Sequence, residues 1–414
     1  MVLPAAPILF RAGDSALPYR PDSELFYLTG FTEPDAVLVL RGFAEESRSV
    51  LFSQARDPSA ERWSGPRAGP DEARAFVGVD DARSIDRLDE DLPSLLNGAD
   101  RVYFRLGRFP RAERQVRVAL ETARAKGARH GTGPRGVIDP GVILDELRLR
   151  KDASEIEAIR VAAGITVQGF RAAFRHTQPG MGEWELQAEL EATFRRLGAT
   201  GPAFASIVGS GANGCVLHYV DNAKPMEKGD LVLVDAGAEA RMYGGDVSRT
   251  APVSGRFSPE QRDVYQVVES ARQQALQKIG PGVPIADVHA EAVRSLVNGL
   301  CGIGVLEGSE EELAESGAHQ AFFPHRTSHW LGLDTHDVGD YAIHGASRIL
   351  EPGMVLTIEP GLYFSSTPES GRFEGIGIRI EDDVLVTEVG SEVLSNGLPT
   401  DPDEVSALIG TDST

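Results

Sequence analysis

Two distant stretches of the chain align without gaps. Gly229-Asp230-Leu231-Val232-Leu233-Val234-Asp235-Ala236-Gly237 lies on Gly353-Met354-Val355-Leu356-Thr357-Ile358-Glu359-Pro360-Gly361, which sets Asp235 opposite Glu359. Each is an apolar, β-rich run that ends on a carboxylate. A second strand-like stretch follows each, carrying Asp246 in one case and Glu381 in the other. Near Glu381, Ile376, Ile378 and Ile380 alternate with Gly377, Arg379 and Glu381, so Arg379 and Glu381 share the polar face. Taken alone, Asp235 reads equally well as a strand end and Asp246 as a turn residue. The echo at Glu359 and Glu381 favours a two-fold internal repeat whose halves bring four carboxylates to one centre. Ionised acids at such range raise each other's pKa strongly, so the arrangement calls for cations.

The 414-residue chain is long enough for two or three domains with full-sized cores. Its formal net charge of −21 argues against nucleic acid and anionic membranes as partners. No apolar run approaches the roughly 18–20 residues that a membrane helix needs. The apolar opening, Met1 to Phe10, holds two prolines and no basic residue, and reads as a first strand rather than a signal peptide. Cys215 and Cys301 make no disulfide framework and suit a reducing compartment, so a cytoplasmic protein is expected.

Residues 1–140 alternate strands and helices and are expected to form a small α/β domain, ahead of a second domain over 141–414. Leu25 to Phe31, Ala36 to Leu40 and Val50 to Phe52 read as strands. Asp71 to Phe76 and Arg111 to Lys126 read as helices, the latter with Ala112, Val116, Ala119 or Leu120 and Ala123 on one stripe. Gly131 to Gly141, with four Gly and two Pro, reads as the linker region. Ser154-x-x-Glu157 reads as a capping box that opens a long helix with Ile156, Ile159, Ala163, Val167, Phe170 and Phe174 inward. Glu183 to Leu197, Pro259 to Lys278 and Ile285 to Leu300 read as further helices, so each half runs helix, helix, strand, strand. The polar tail after Asp401 is expected to fray.

Five of the nine histidines fall between His319 and His344. A lone histidine is usually structural, but histidines clustered in the same chain half as the acids read as ligands or substrate donors. His319 and His344 read as surface or packing residues. Gly209-Ser210-Gly211-Ala212-Asn213-Gly214 matches G-x-G-x-x-G, but a dinucleotide site needs a helix there, and a β-like stretch from Cys215 to Val220 follows instead. The glycines are expected to allow a close approach to the centre, with His218 as a first-half partner of the later histidines. A set of one histidine and four carboxylates favours hard divalent ions, with Mn²⁺, Co²⁺ or Fe²⁺ ahead of a thiolate-type zinc site. Two ions balance four negative charges and together serve hydrolysis. No Ser, Thr or Cys sits in a recognisable nucleophile setting.

Several long motifs then carry a resemblance. Leu233-Val234-Asp235-Ala236-Gly237, Gly245-Asp246-Val247-Ser248-Arg249-Thr250, Ser328 to Gly339, Thr357 to Tyr363 and Gly377 to Asp382 together resemble the pita-bread metallopeptidases, and among them the aminopeptidase P family. Arg20 to Leu40 is similar to that family's N-terminal domain. The resemblance implies an α/β (α+β) protein: a small N-terminal α/β domain, then a pita-bread, creatinase/aminopeptidase-like catalytic domain with a pseudo-two-fold repeat.

Position by position, it implies metal ligands at Asp235, Asp246, His329, Glu359 and Glu381, with Asp246 and Glu381 bridging two divalent ions. Mn²⁺ is expected first, with Co²⁺, Fe²⁺ or Zn²⁺ as alternatives. It implies His218, His325, His336 and Tyr363 on the substrate side, and Arg379 beside the bridging glutamate. The expected reaction releases the N-terminal residue from peptides with proline second, by attack of a metal-held hydroxide. Glu359 is expected to shuttle the proton, while His336 and His218 steady the oxyanion. Asp14 and Trp63 match positions near a neighbouring active site, which implies a homo-oligomer, dimer or tetramer. Two departures stand out: no helix precedes Phe10 to Asp14, and Pro140-Gly141 replaces a Trp-Arg pair of some relatives. The rival readings are a prolidase, which needs a cation to hold a dipeptide's carboxylate, a methionine aminopeptidase, for which residues 1–140 have no purpose, and a pita-bread protein that binds partners without catalysis.

Overall fold

The computed structural model describes residues 1–42 and 47–411, and the chain divides into a unit of Met1–Glu146 and a unit of Leu147–Thr414. Among the described residues, no helix is long and apolar enough to cross a membrane.

In the first unit, strands Val2–Pro4, Val37–Gly42, Ser47–Ser53 and Asp81–Ser84 form one sheet in that order. The first two contacts are antiparallel and the last parallel. Alternate residues feed its two faces. Val37, Val39, Val50 and Phe52 pack on the helix Pro110–Gly127 through Val116, Ala119, Leu120 and Ala123, while Leu38 and Leu51 join a second core with Leu25 and Ala73.

Three expectations for this unit fail, each for a local reason. Leu25 to Phe31 is not a strand: Ser23–Thr29 is a helix, because the Asp22 carboxylate accepts from the amides of Glu24 and Leu25 and Gly30 closes it at φ +64°. Gly131 to Gly141 is not a plain linker, since Gly136–Ile138 pairs in parallel with Arg101–Tyr103. The first strand ends at Pro4, and Phe10–Ala12 belongs to a separate hairpin with Ser15–Ala16.

In the second unit, the helices Ala153–His176, Glu183–Arg196, Pro259–Lys278 and Ile285–Gly302 appear where their periodicity places them. The box that opens the first is two residues earlier than expected. Asp152 is the cap, accepting from the amides of Ser154 and Glu155, while Glu155 accepts from the Asp152 amide. Each helix pair backs a sheet. Val232, Val234 and Ala236 pack with Phe170, Phe174 and Leu190. In the other half Met354, Leu356 and Ile358 pack with Ala275, Val288 and Ala292. The sheets are Ile207–Ser210, Leu231–Ala236, Val247–Pro252 and Val355–Ile358, Asp382–Thr387, Gly390–Val393, with Gly361–Tyr363 pairing with Gly377–Arg379 beside them. Pro402–Leu408 in the tail is helical, capped by Asp401, with Pro402 and Val405 buried; residues 412–414 lie outside the described residues.

Candidate functional site

Strand ends of both halves open onto one cavity of about 1040 Å³. Asp235 lies in Leu231–Ala236 and pairs in register with Ser248, so Asp246, just before the next strand, sits beside it. Glu359 directly follows Val355–Ile358, and Glu381 stands between Gly377–Arg379 and Asp382–Thr387. All four acids and His329 line the cavity, together with His218, His325, His336 and Arg379. Tyr363 lies directly behind, through its hydroxyl.

The tightest group is Asp246, His329 and Glu381, whose donor atoms all lie within 4.8 Å of one another. His329 Nε2 is 3.2 Å from Asp246 Oδ2 and 3.6 Å from Glu359 Oε1. Its Nδ1 bonds the Trp330 carbonyl at 3.0 Å, which in the neutral ring makes Nδ1 the donor and leaves the Nε2 lone pair for a metal. Asp235 Oδ2 accepts from Arg379 at 2.6 Å, while its buried Oδ1 has no hydrogen-bond partner among the described residues. Burial lifts the Asp246, Glu359 and Glu381 carboxyls above the usual range, and for Glu381 the surrounding carboxylates add to it. Burial pulls His329 down, but its hydrogen bond to Asp246 and that carboxylate's charge push it higher still. Crowded buried acids, an orphaned carboxylate oxygen and an imidazole with a directed lone pair fit divalent cations.

The surrounding groups hold the acids in place, and several escaped the sequence. Ser248 donates to Glu381 Oε2 at 2.8 Å and accepts from Arg379 Nε at 2.9 Å. Asp383 accepts the amide of Asp246 at 3.1 Å, so a second-half carboxylate fixes a first-half acid. Asp382 takes one guanidinium from Arg249 at 2.8 Å and another from Arg272 at 2.6 Å. The consecutive acids Glu381, Asp382 and Asp383, in a chain segment as apolar as this, were the available signal for these roles. Thr357 donates to Glu359 Oε1 at 3.3 Å.

Among the histidines, His325 is fully engaged: Nδ1 donates to the Arg326 carbonyl at 2.8 Å and Nε2 accepts from the Tyr363 hydroxyl at 2.9 Å. Burial and the Arg379 charge lower it to about 4, so it is neutral. Tyr363 in turn accepts from Arg379 at 2.7 Å. His336 packs edge-on to His329, ring centres 4.4 Å apart, and burial followed by the His329 and His218 charges lowers its pKa. His336 and His218 are both exposed to the cavity. His319 is buried away from the cavity and His344 is exposed on a hairpin turn. His289, which nothing in the sequence singled out, also lines the cavity. A single histidine on an amphipathic helix carries no such signal.

The glycine-rich stretch forms no dinucleotide site. Gly211–Cys215 is a short 3₁₀ turn, and the expected β-like run after it forms no strand. Its backbone approaches the second half so closely that a Cβ on Gly377 would strike the carbonyl of Gly214.

A cavity with this donor set, built from two echoing halves, suits divalent cations of the kind that serve hydrolysis. The chain belongs to metallopeptidase family M24, whose description matches residues 157–388, and residues 1–103 match the aminopeptidase P N-terminal domain. Its second unit therefore has the pita-bread fold of that family. The Xaa-Pro aminopeptidase of Escherichia coli (strain K12) is 45% identical over 98% of this chain and 92% of its own length. Human Xaa-Pro aminopeptidase 3 is 32% identical over 99% of this chain and 80% of its own. The structure of Pseudomonas aeruginosa aminopeptidase PepP matches with a TM-score of 0.95 at 43% identity, covering 100% of this chain and 94% of that one. A variant of Escherichia coli aminopeptidase P in complex with substrate matches with a TM-score of 0.94 at 45% identity, covering 100% and 93%.

Proposed function

We infer that this chain is an Xaa-Pro aminopeptidase, which releases the N-terminal residue from peptides whose second residue is proline. The observation that supports it most is the convergence of Asp235, Asp246, His329, Glu359 and Glu381 on one cavity, in a chain similar over its whole length to proteins of that activity. We assign these five side chains the metals: two divalent ions, Mn²⁺ first. When bound, such ions polarise a carbonyl and lower the pKa of a water towards neutrality.

The chain's own residues do the rest. Glu359 receives the proton of the attacking water and delivers it to the leaving proline nitrogen. That nitrogen belongs to a tertiary amide and has no proton of its own, so a positioned acid is required. His336 and His218, both open to the cavity, donate to the developing oxyanion and hold the peptide. Arg379 holds Asp235 and, through Tyr363, sets His325, whose ring lines the substrate's path with both nitrogens already engaged. The free thiols Cys215 and Cys301 suit a cytoplasmic enzyme, and exposed Trp63 suits a homo-oligomer, dimer or tetramer.

The test is a panel of Xaa-Pro-Yaa, Xaa-Ala-Yaa and Xaa-Pro peptides with and without chelator. Release of Xaa from Xaa-Pro-Yaa, abolished by chelator and restored by Mn²⁺, is expected. Cleavage of the dipeptide alone would point to a prolidase, and cleavage of Xaa-Ala-Yaa at the same rate would remove the proline preference.

A further inference from the structure

One wall of the cavity carries positive charge that the chemistry above leaves unused. The helix Ile285–Gly302 begins there, with Ile285, Ala286 and His289 on the lining. Its first amides are already taken, by the Arg348 carbonyl at 2.9 Å and by Ser347 Oγ at 3.0 Å. The helix end thus contributes its dipole rather than a free donor. Arg326 lines the same wall and its side chain is exposed; among the described residues it has no ion pair and no side-chain hydrogen bond. The other guanidinium of the cavity, Arg379, is buried and committed to Asp235, Ser248 and Tyr363. His289 stands near Arg326, since it bonds Thr327, the next residue in the chain, and both line the cavity; burial first, then the Arg326 charge, lowers its pKa to about 4. Its Nδ1 is tied to Thr327 Oγ1 at 2.8 Å, and Nε2 has no partner among the described residues.

The placement is unusual on charge grounds. The net charge is −21 and four carboxylates line this cavity, yet Arg326 pairs with none of them. A guanidinium kept free at a cavity wall, with an imidazole beside it whose Nε2 donates when Nδ1 accepts from the Thr327 hydroxyl, matches a planar carboxylate brought in by the ligand. The sequence supports the same reading, because Arg326 lies immediately after His325, whose ring nitrogens are spent inside the protein.

We propose that Arg326, with His289 beside it, forms a carboxylate subsite for the part of the peptide beyond the proline. The inference rests on the Xaa-Pro reading and adds a substrate class to it: short peptides with an anionic group close to the scissile bond. Either the C-terminal carboxylate of a tripeptide or an acidic third side chain supplies that group. The subsite gives affinity rather than chemistry, so its effect falls on KM and leaves kcat nearly constant.

The test compares three substrates: Xaa-Pro-Ala as the free acid, Xaa-Pro-Ala amide and Xaa-Pro-Asp amide. The wild-type holoenzyme is expected to favour a carboxylate-bearing peptide over the alanine amide by about tenfold in kcat/KM, as a charge-assisted hydrogen bond implies. A preference for the free acid assigns the subsite to the C-terminus; one confined to the aspartyl amide assigns it to a side chain. In Arg326→Gln the ratio is expected to fall to about one, and in Arg326→Lys to an intermediate value, by the loss of the planar fork. Each ratio is internal to one protein, so a general loss of activity cancels. Added salt screens the exposed Arg326 charge and so shrinks the wild-type ratio. Equal rates for all three peptides in the wild type, or an unchanged ratio in Arg326→Gln, overturns the subsite and leaves the Xaa-Pro reading standing. No cleavage of any of the three overturns both.

Discussion

Removing one carboxylate from a shared cage changes what every other member feels. Glu359→Ala and His329→Ala are expected to lower kcat by at least about a hundredfold, the smallest effect usual for a lost proton-transfer group. Their far-UV circular dichroism should match the wild type, and near-normal turnover in either would refute the assignment. His289 gives a second residue-scale prediction. Its pKa falls from 6.5 to about 4 on folding, through burial and then the Arg326 and His319 charges. Between those values the unfolded chain binds the proton and the folded one does not. This stability is complete above about pH 6.5 and is lost as the pH falls towards 4. Thermal midpoints should therefore fall less steeply across that window in His289→Gln than in the wild type, and parallel curves would contradict the argument. That the five positions proposed as metal ligands share one cavity was readable, because each sits in a recognisable motif. His289 and Asp383 were not: one is a lone imidazole on an ordinary helix, and the other acts on a backbone amide far away in sequence.

Elements were legible where periodicity ran long. Pro259–Lys278 has the expected bounds, because Ser258 caps it, Pro259 fits the first turn and more than five turns of pattern follow. Short pieces failed where a few local bonds decide. Leu25 to Phe31 is apolar enough for a strand, yet the Asp22 cap and Gly30 make most of it helical. At Ala153–His176 the sequence offers two competing boxes, and the earlier acid wins because Ser154 gives its amide and its hydroxyl to Asp152. Asp152→Ala should therefore cost about 1 kcal/mol of stability in denaturant titration, and Ser154→Ala clearly less. The reverse order would restore the later box.

At the scale of the whole molecule, the repeat was the most informative feature, since it paired the acids before any contact was known. What it did not reveal is how the halves hold each other. That depends on bonds between residues more than a hundred positions apart, such as Ser248 to Glu381. A cage of buried acids is self-repelling until cations enter, so ions that bind only the folded state add to its stability. Chelator is expected to lower the melting temperature of the holoenzyme and Mn²⁺ to restore it, in a concentration-dependent way. A melting point indifferent to both would mean that the five side chains hold no metal.

The bond from the Asp246 amide to Asp383 has a further consequence, reinforced by the Glu381 amide, which donates to the Ser248 carbonyl at 3.0 Å. Neither half of the second unit keeps its acids aligned alone. If the chain were severed at Gly255, between the two half-sites, each fragment would lose the donors and acceptors that orient its carboxylates. Neither piece should then cleave peptides by itself, and mixing the two should restore cleavage only as fast as they re-associate.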